Sequence, residues 1–350
     1  MKVHRFYDTF NFLLLPFSYL YQLLFSIYKA VYRYRIIPQQ EFKEKIVSVG
    51  NLTVGGTGKT PFVIFLAELF NRNNKKVSVV SRGYKRRRKD RLIDIMTNSN
   101  NTKVGDEPWL ISKRVTIPVV VSHDKKEGCS YIIETYEPDI IIIDDGFQSF
   151  SIGRELDILL LDATDNFVDS FVLPAGRLRE PLSAIKRADI VIITRCNQAG
   201  KNQIQRILRR IRRYSRHTPI FLSSHNPLFL IKIPENRTFS PFYLKGKRIL
   251  SLSSIGNNQS FLLTLKSIGL NIVQKLSYLD HHTYSTRDIN RINRLVALHN
   301  IDAIITTEKD MYSLRFSVGE LQVPLYSLAI ELSLEELKRF EMVLEGKGLL

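Results

Sequence analysis

Cysteine is scarce in this chain of 350 residues, which contains only Cys129 and Cys196. Two cysteines so far apart form neither a disulfide framework nor the paired spacing of a zinc site. This scarcity argues against a disulfide-rich secreted scaffold and favours a reducing, cytosolic compartment. The sequence also shows no internal repeat and no low-complexity segment. Its length therefore predicts either one large α/β domain or two domains.

Acidic residues are also in deficit, with 34 Asp and Glu against 51 Lys and Arg and a net charge of +17. Such a surface attracts phosphate-rich partners, which include nucleic acid, anionic lipid head groups and phosphorylated small molecules. Alternatively, the positive net charge reflects a proteome that is basic in general and not a particular partner. Aromatic and basic residues do not interleave as they do in nucleic-acid-binding surfaces, so we expect no nucleic-acid partner.

The longest apolar stretch runs from Phe10 to Val31, and no small-residue cleavage site follows it, which argues against a signal peptide. Its length is near that of a membrane-spanning helix. Pro16 and a polar stripe at helical spacing instead favour a helix lying in the membrane interface. A helix packed on the protein's own core is the third interpretation. We expect residues 1–40 to form an amphipathic membrane helix. The polar stripe consists of Asn11, Ser18, Gln22, Ser26 and Lys29.

Two other basic segments add to this picture. The segment 203–216 places isoleucines and Leu208 on one helical face and arginines on another, which is usually a solvated helix with its apolar side on the core. Beside the N-terminal helix it is a candidate second contact for an anionic inner-membrane surface. The cluster at 85–89 (KRRRK) is expected on a loop.

Short β-branched runs alternate with helical patterns in the first half of the chain. Continuous apolar runs suit strands buried on both faces, as in parallel sheets, and the alternation predicts an α/β fold. Helices are expected at 61–73 and 127–136. The predicted strands are 46–49, 77–80, 119–121, 140–143, 158–161 and 190–193.

The pattern resumes in the second half of the chain. Strands are predicted at 248–252, 271–275 and 303–306, with helices at 260–268 and 286–298. The stretch 223–247 contains three prolines and no clear periodicity, so we expect it to be a linker. The predicted domains are therefore a core at 41–222 and a smaller C-terminal α/β lobe at 223–350.

The segment IVSVGNLTVGGTGKT (46–60) predicts a phosphate-binding loop between a strand and a helix. Glycines let backbone N–H groups converge on phosphate oxygens, and the N-terminus of the following helix adds partial positive charge. Lys59 is expected to reach the β- and γ-phosphates of ATP, and the Thr60 hydroxyl to bind Mg²⁺. The match to G-x-x-x-x-G-K-[ST] is imperfect, because Thr53 replaces the first glycine. The expected nucleotide contacts are Thr53, Val54, Gly55, Gly56, Thr57, Gly58, Lys59 and Thr60.

The run DIIIIDDG (139–146) is a buried strand that ends in two carboxylates. Parallel strands deliver their C-terminal residues to the crevice where ligands bind. A carboxylate there can hold Mg²⁺ directly or through water. Asp144 and Asp145 are therefore both candidate metal ligands, and the sequence does not distinguish between them.

Acid–base candidates are scattered along the chain. Asp106 and Glu107 form a short acidic turn, which alone is more often a helix start than a catalytic group. The run Asp280-His281-His282 is ambiguous in isolation. A kinase needs a base positioned on its acceptor hydroxyl, and a carboxylate paired with a histidine is one form of it.

Taken together, these residues resemble the tetraacyldisaccharide 4'-kinases, the lipid A 4'-kinases of Gram-negative bacteria. The resemblance spans nearly the whole chain, and the form of the loop with Thr53 is itself typical of the family. Position 149 departs from it, since many members have DDGFQH where this chain has Ser149. The motifs, in family order, are VGNLTVGGTGKTP (49–61), SRGY (81–84), VGDEP (104–108), DDGFQ (144–148), LPAGRLREP (173–181), DHH (280–282) and TEKD (307–310).

The resemblance implies transfer of the ATP γ-phosphate to the 4'-hydroxyl of a tetraacylated glucosamine disaccharide 1-phosphate. It implies a P-loop core with a second lobe, in a monotopic enzyme on the cytoplasmic face of the inner membrane. By position, Asp106 resembles the catalytic base and His281 its partner. Arg179 and Glu180 resemble substrate-side residues of the family.

A second hypothesis comes from a different class of protein. A membrane-targeting P-loop ATPase that uses hydrolysis as a conformational switch also needs the loop and the N-terminal helix. The motifs DHH, LPAGRLREP and GDEP favour the kinase, because a switch has no need of an acceptor-hydroxyl base.

Overall fold

The computed structural model describes residues 2–83, 91–97 and 104–350, with side chains described from Leu13 onward. The basic cluster at 85–89 lies outside the described residues. Strands and helices alternate over much of the described part of the chain, as the sequence predicts.

Thirteen strands of the described chain form one sheet in the order β11-β10-β12-β13-β8-β7-β6-β1-β5-β2-β4-β3, with β9 paired to β8. Most neighbours are parallel; β3–β4, β8–β9 and β8–β13 are antiparallel. The mostly parallel α/β fold is therefore confirmed. The strands are β1 Lys45–Asn51, β2 Val77–Ser81, β3 Leu92–Asp94, β4 Val119–Ser122, β5 Ile140–Asp144, β6 Leu156–Asp162, β7 Ile190–Thr194, β8 Ile220–Ile233, β9 Arg237–Phe239, β10 Arg248–Ser253, β11 Asn271–Ser277, β12 Ala303–Thr307 and β13 Leu325–Leu334.

Helices cover this sheet because its central strands are apolar on both sides. Every residue of β5, β6 and β7 is buried, as expected for parallel strands between helical layers. The helices are α1 Lys2–Arg33, α2 Lys59–Arg72, α3 Asp106–Arg114, α4 Lys125–Tyr136, α5 Lys201–Tyr214, α6 Asn258–Ser267, α7 Thr286–Leu298, α8 Glu308–Leu314 and α9 Leu337–Gly346.

The predicted linker at 223–247 is wrong over its first half, which belongs to the long strand β8. Residues 220–222 of β8 pair with β7, and residues 223–233 pair with β13. Pro227 is tolerated because the β8–β13 register shifts beside it, at a bulge between Ala329 and Ile330. The two halves of the chain therefore share one continuous sheet, and the predicted boundary at 222/223 falls where β8 changes partner.

Helix α1 contacts the rest of the protein through a narrow set of side chains. The Ser18 hydroxyl, only 5% exposed, donates to the Val172 carbonyl (2.9 Å) and accepts from the Ala175 N–H (3.0 Å). The Tyr21 hydroxyl donates to the Arg179 carbonyl, and the Phe25 ring packs on Phe150. Leucines on the opposite side are exposed. None of the described helices is both long and apolar enough to cross a membrane.

Candidate active site

The phosphate loop connects β1 to α2, as predicted. Gly55 and Gly58 have φ values of 110° and 86°, a left-handed conformation that glycine adopts without strain. Gly58 immediately precedes α2, whose first turn carries no side-chain cap. The first N–H groups of this helix are consequently available to an anion, at the positive end of the helix dipole.

A buried network fixes the shape of this loop. The Asn51 side-chain amide donates to the Thr53 carbonyl (2.8 Å) and to the Thr57 hydroxyl (3.0 Å). The Thr194 hydroxyl, at the end of β7, donates to the Thr57 carbonyl (2.8 Å). Since all of these groups are buried, the loop is pre-organised around the position of a phosphate.

Asp145 follows β5 in a left-handed conformation (φ 51°) that turns its carboxylate towards the phosphate loop. The Lys59 Nζ lies 3.4 Å from Asp145 Oδ1, and the Arg179 guanidinium lies 2.9 Å from Oδ2. Burial alone would raise the pKa of Asp145, but Lys59, Arg179 and Lys125 outweigh burial and lower it. Asp145 therefore stays ionised beside the lysine expected to bind phosphate.

Asp144 ends β5 and is 3% exposed. Its Oδ2 accepts from the Ser81 hydroxyl (2.9 Å), while its Oδ1 is buried without a hydrogen-bond partner in the described structure. Burial, together with repulsion from Glu107 and Asp145, raises the pKa of Asp144 to about 6. A buried carboxylate oxygen without a partner fits a site for a hard cation such as Mg²⁺.

Thr60 and Asp145 complete the predicted oxygen donors. No group of three or more His, Cys, Asp or Glu side chains arranged to hold a metal occurs within the described ranges.

Asp106 and His281 meet although they are distant in sequence. The His281 Nδ1 lies 2.8 Å from Asp106 Oδ2 and 3.1 Å from Oδ1. Asp106 is the first residue of α3, after Gly105 with φ 95°, and its Oδ1 also accepts from the Glu107 N–H (3.0 Å). His281 follows β11 with φ 60°. The carboxylate and the histidine expected to act together as an acceptor base are therefore in direct contact.

A cavity of about 760 Å³ opens between the two halves of the molecule. The phosphate loop lines one side, while Glu107 and His281 line another. Arg179 also reaches this cavity. The predicted residues that line it are Val54, Gly55, Gly56, Thr57, Gly58, Lys59, Thr60, Asp144, Asp145, Arg179 and His281.

Glu180 lies apart from these residues and is fully buried. Its carboxylate accepts from the Arg187 guanidinium (2.7 and 2.8 Å) and from the Gln148 amide (2.9 Å). The Arg187 guanidinium in turn stacks on the Phe147 ring at 3.9 Å. These contacts tie the LPAGRLREP segment to the DDGFQ segment and hold Arg179 beside Asp145.

Two lysines at the site were missed by sequence reasoning. Lys309 Nζ lies 3.0 Å from Glu107 Oε1 and 3.0 Å from Asp280 Oδ1. Lys125 Nζ donates to the Asp145 carbonyl (2.6 Å) and to the Ser149 hydroxyl (3.2 Å). Burial lowers the pKa of Lys125 to about 8. The TEKD motif was a signal for Lys309, whereas Lys125 stands in no motif.

The comparisons with known proteins agree over almost the entire chain. The family profile described as "Tetraacyldisaccharide-1-P 4'-kinase" matches residues 10–347. A tetraacyldisaccharide 4'-kinase from Syntrophus aciditrophicus is 35% identical over 355 residues, covering 93% of this chain and 93% of the relative. One from Desulfatibacillum aliphaticivorans is 35% identical over 336 residues, covering 90% and 88%.

A solved structure supports the same family. LpxK from Aquifex aeolicus, crystallised in complex with ATP, superposes with a TM-score of 0.74 at 28% identity, covering 97% of this chain and 99% of that one. The family resemblance seen in the sequence is confirmed. The chain therefore belongs to the tetraacyldisaccharide-1-phosphate 4'-kinase family, whose members are ATP-dependent kinases that phosphorylate the lipid A precursor at its 4' position.

Proposed function

We propose that this kinase transfers the ATP γ-phosphate to the 4'-hydroxyl of a tetraacylated glucosamine disaccharide 1-phosphate, with Asp106 as the base. The observation that carries this proposal is the Asp106–His281 pair, whose histidine lines the same cavity as Lys59 and Thr60. Phosphoryl transfer requires a donor-phosphate site and an acceptor base close together, and the histidine partner of Asp106 shares one cavity with the phosphate loop.

In the proposed step, the Asp106 carboxylate takes the proton from the 4'-hydroxyl. The hydroxyl oxygen forms a bond to the γ-phosphorus, the bond from that phosphorus to the bridging oxygen breaks, and ADP leaves. Lys59 and the backbone N–H groups of the loop stabilise charge on the phosphate oxygens. The His281 ring orients the Asp106 carboxylate through its 2.8 Å contact.

The residues at the end of β5 are proposed to hold Mg²⁺ together with Thr60. When bound, Mg²⁺ neutralises negative charge on the β- and γ-phosphates. Asp144 is the favoured ligand, because its Oδ1 is buried without a partner in the described structure. Asp145 is already engaged by Lys59 and Arg179.

Helix α1 is proposed to attach the enzyme to the cytoplasmic face of the inner membrane. Its inward side is fixed by Ser18 and Tyr21, while Leu20 and Leu24 on its outward side are 53% and 58% exposed. An apolar helix face that the protein does not cover is typical of interfacial helices. The Tyr21 hydroxyl contacts the backbone of Arg179, a residue of the cavity lining, which supports a position of α1 near the cavity that an acylated substrate would enter.

The arginines of α5 are proposed to support this attachment by binding anionic head groups. Arg209 and Arg213 are exposed on this helix, whereas Ile207 and Ile211 pack on the core. Cationic residues near an anionic surface each contribute about 1 kcal/mol of binding.

Purified protein incubated with γ-labelled ATP, Mg²⁺ and the acylated disaccharide 1-phosphate in detergent tests the reaction. We expect the label in the lipid fraction. Label found only as free phosphate would contradict lipid transfer and favour the switch ATPase.

Vesicles containing phosphatidylglycerol test the attachment. The double variant Leu20→Ser/Leu24→Ser should bind them at least about 10-fold more weakly, since each leucine contributes more than about 1 kcal/mol when buried in an apolar phase. The matched control, Ser26→Ala, changes an exposed polar residue of the same helix and should bind as the wild type does. Equal binding by all three proteins would contradict attachment through this face.

A further inference from the structure

The Lys309 ammonium occupies the junction between the two halves of the acceptor site. It lies on α8, with its side chain 15% exposed, and contacts Glu107 of α3 and Asp280 of the β11–α7 loop, both at 3.0 Å. It also lies 3.7 Å from Asp106 Oδ2 and 3.3 Å from His281 Nε2. Burial by itself would lower the pKa of Lys309, but the three carboxylates outweigh burial and raise it. The side chain therefore stays a cation.

An ammonium group carries three N–H donors and no acceptor. The His281 Nε2 that faces it must therefore accept a hydrogen bond, which requires this nitrogen to be unprotonated. The single proton of the neutral ring then sits on Nδ1. That nitrogen faces Asp106 Oδ2 at 2.8 Å, so the ring donates to the carboxylate.

A competing carboxylate lies on the same side of the ring. Asp280 Oδ2 is 3.8 Å from His281 Nε2, beyond hydrogen-bond distance but near enough to favour a proton there. Lys309 opposes this effect in two ways: it binds Asp280 Oδ1, and it places a positive charge beside Nε2. Among the described residues, the charged groups that face the ring include Asp106 and Glu107 from α3, Asp280 from its own loop, and Lys309 from α8.

We infer that Lys309 is a positioning residue, which keeps His281 in the neutral Nδ1–H form and so leaves Asp106 as the group that accepts the substrate proton. This inference rests on the proposed function. Without Lys309, His281 would lie between two carboxylates and would be stabilised as an imidazolium. A full positive charge against Asp106 makes that carboxylate a weaker base, because the ion pair is disrupted when Asp106 takes a proton.

The protonation state of His281 is directly measurable in the intact protein. The chain has 7 histidines, so ¹⁵N-histidine labelling gives few signals, and His281→Gln assigns the one of interest. We expect a protonated Nδ1 and an unprotonated Nε2 at pH 7. The opposite tautomer, or an imidazolium, in the wild-type protein would overturn the inference without any measurement of activity.

The kinetic test uses Lys309→Met. We expect kcat at pH 7 to fall about 100-fold, at the lower end of what general base catalysis contributes. The KM for ATP should stay within about twofold, because Lys309 acts on the acceptor side. The acid limb of the kcat–pH profile should move to higher pH, because the imidazolium that must lose its proton is now more stable. Lys309→Arg keeps a cationic donor and should retain the wild-type profile.

A second substitution separates control of the tautomer from loss of structure. In Lys309→Met/Asp280→Asn, the carboxylate beside Nε2 is replaced by an amide, so the acid limb should return towards its wild-type position. A fall in kcat with the acid limb and the histidine signals unchanged would reduce Lys309 to a structural role. Absence of lipid label with the wild-type enzyme would instead contradict the proposed function, and the histidine signals would still decide the tautomer.

Discussion

The two sides of the cavity are built in opposite ways. The proposed donor side is one continuous segment, Thr53–Thr60. Its proposed carboxylate partners are Asp144, the last residue of β5, and Asp145, which follows it; β5 is a parallel neighbour of β1. The acceptor side joins Asp106, His281 and Lys309; the first two are 175 positions apart in the chain. The proposed nucleotide site is therefore encoded locally, whereas the proposed acceptor site depends on how the two halves of the chain are held together.

The continuous sheet holds together the two halves of the chain that contribute to the acceptor side. Strand β8 pairs with β7 in the first half and with β13 in the second. Arg114 of α3 binds Glu308 of α8 at 2.8 Å, in a partly buried ion pair; Glu308 immediately precedes Lys309. The Asp106–His281 contact is therefore supported by connections between the two halves of the chain, and we expect variants on the two sides of the cavity to lose activity in different ways.

The largest effect is expected for Asp106→Asn on the acceptor side. The amide is nearly isosteric but cannot take the substrate proton, so kcat should fall by about 10²–10⁴-fold, the usual contribution of a general base. ATP affinity measured by calorimetry should not change. Near-normal turnover of γ-labelled ATP into lipid would remove Asp106 as the base.

Lys59→Met on the donor side should lower kcat by about 10²–10³-fold, the cost known for losing one donor that stabilises a developing oxyanion. Unlike Asp106→Asn, it should also weaken ATP binding, because Lys59 is expected to contact ATP before the reaction. Lys113→Met, an exposed lysine of α3, is the matched control and should behave as the wild type does. Unchanged ATP affinity in Lys59→Met would contradict the claim that donor-side variants weaken ATP binding whereas acceptor-side variants do not.

A smaller effect is expected where the two halves touch. A Cβ added to Gly256 would lie 2.4 Å from the Gly56 backbone nitrogen in the phosphate loop, a contact that only a backbone shift relieves. Gly256→Ala should therefore cost about 1–3 kcal/mol of stability in urea unfolding and should weaken ATP binding in the same variant.

Gly319→Ala is the control for this substitution. A Cβ at Gly319 meets nothing within 4 Å, so its stability should change by less than about 0.5 kcal/mol. If Gly256→Ala behaved in the same way, the second half of the chain would not press on the phosphate loop as described.

Much of the fold was predictable because it is encoded in local patterns. Runs such as Ile140–Ile143 are apolar throughout, and this pattern is typical of a strand that is buried on both faces. Strand β8 was not predicted because His225, Asn226 and Pro227 interrupt its apolar run, and because its partner β13 lies far away in the sequence.

The same division applies to the site. The phosphate loop and Asp144–Asp145 were predictable from spacing, and Asp106 and His281 from family resemblance. The environment of Glu180 was not, because its burial against Arg187 and Gln148 follows from tertiary packing. The position of Lys309 between three carboxylates was not predictable for the same reason.

A double-mutant cycle on Asp106 and His281 tests the central claim most directly. The rate of lipid labelling would be measured by rapid quench for Asp106→Asn, His281→Gln and the double variant at saturating ATP. If the two side chains act as one base, the double variant should be no slower than Asp106→Asn alone. Losses that multiply in the double variant would show that the residues act independently and would contradict the paired base.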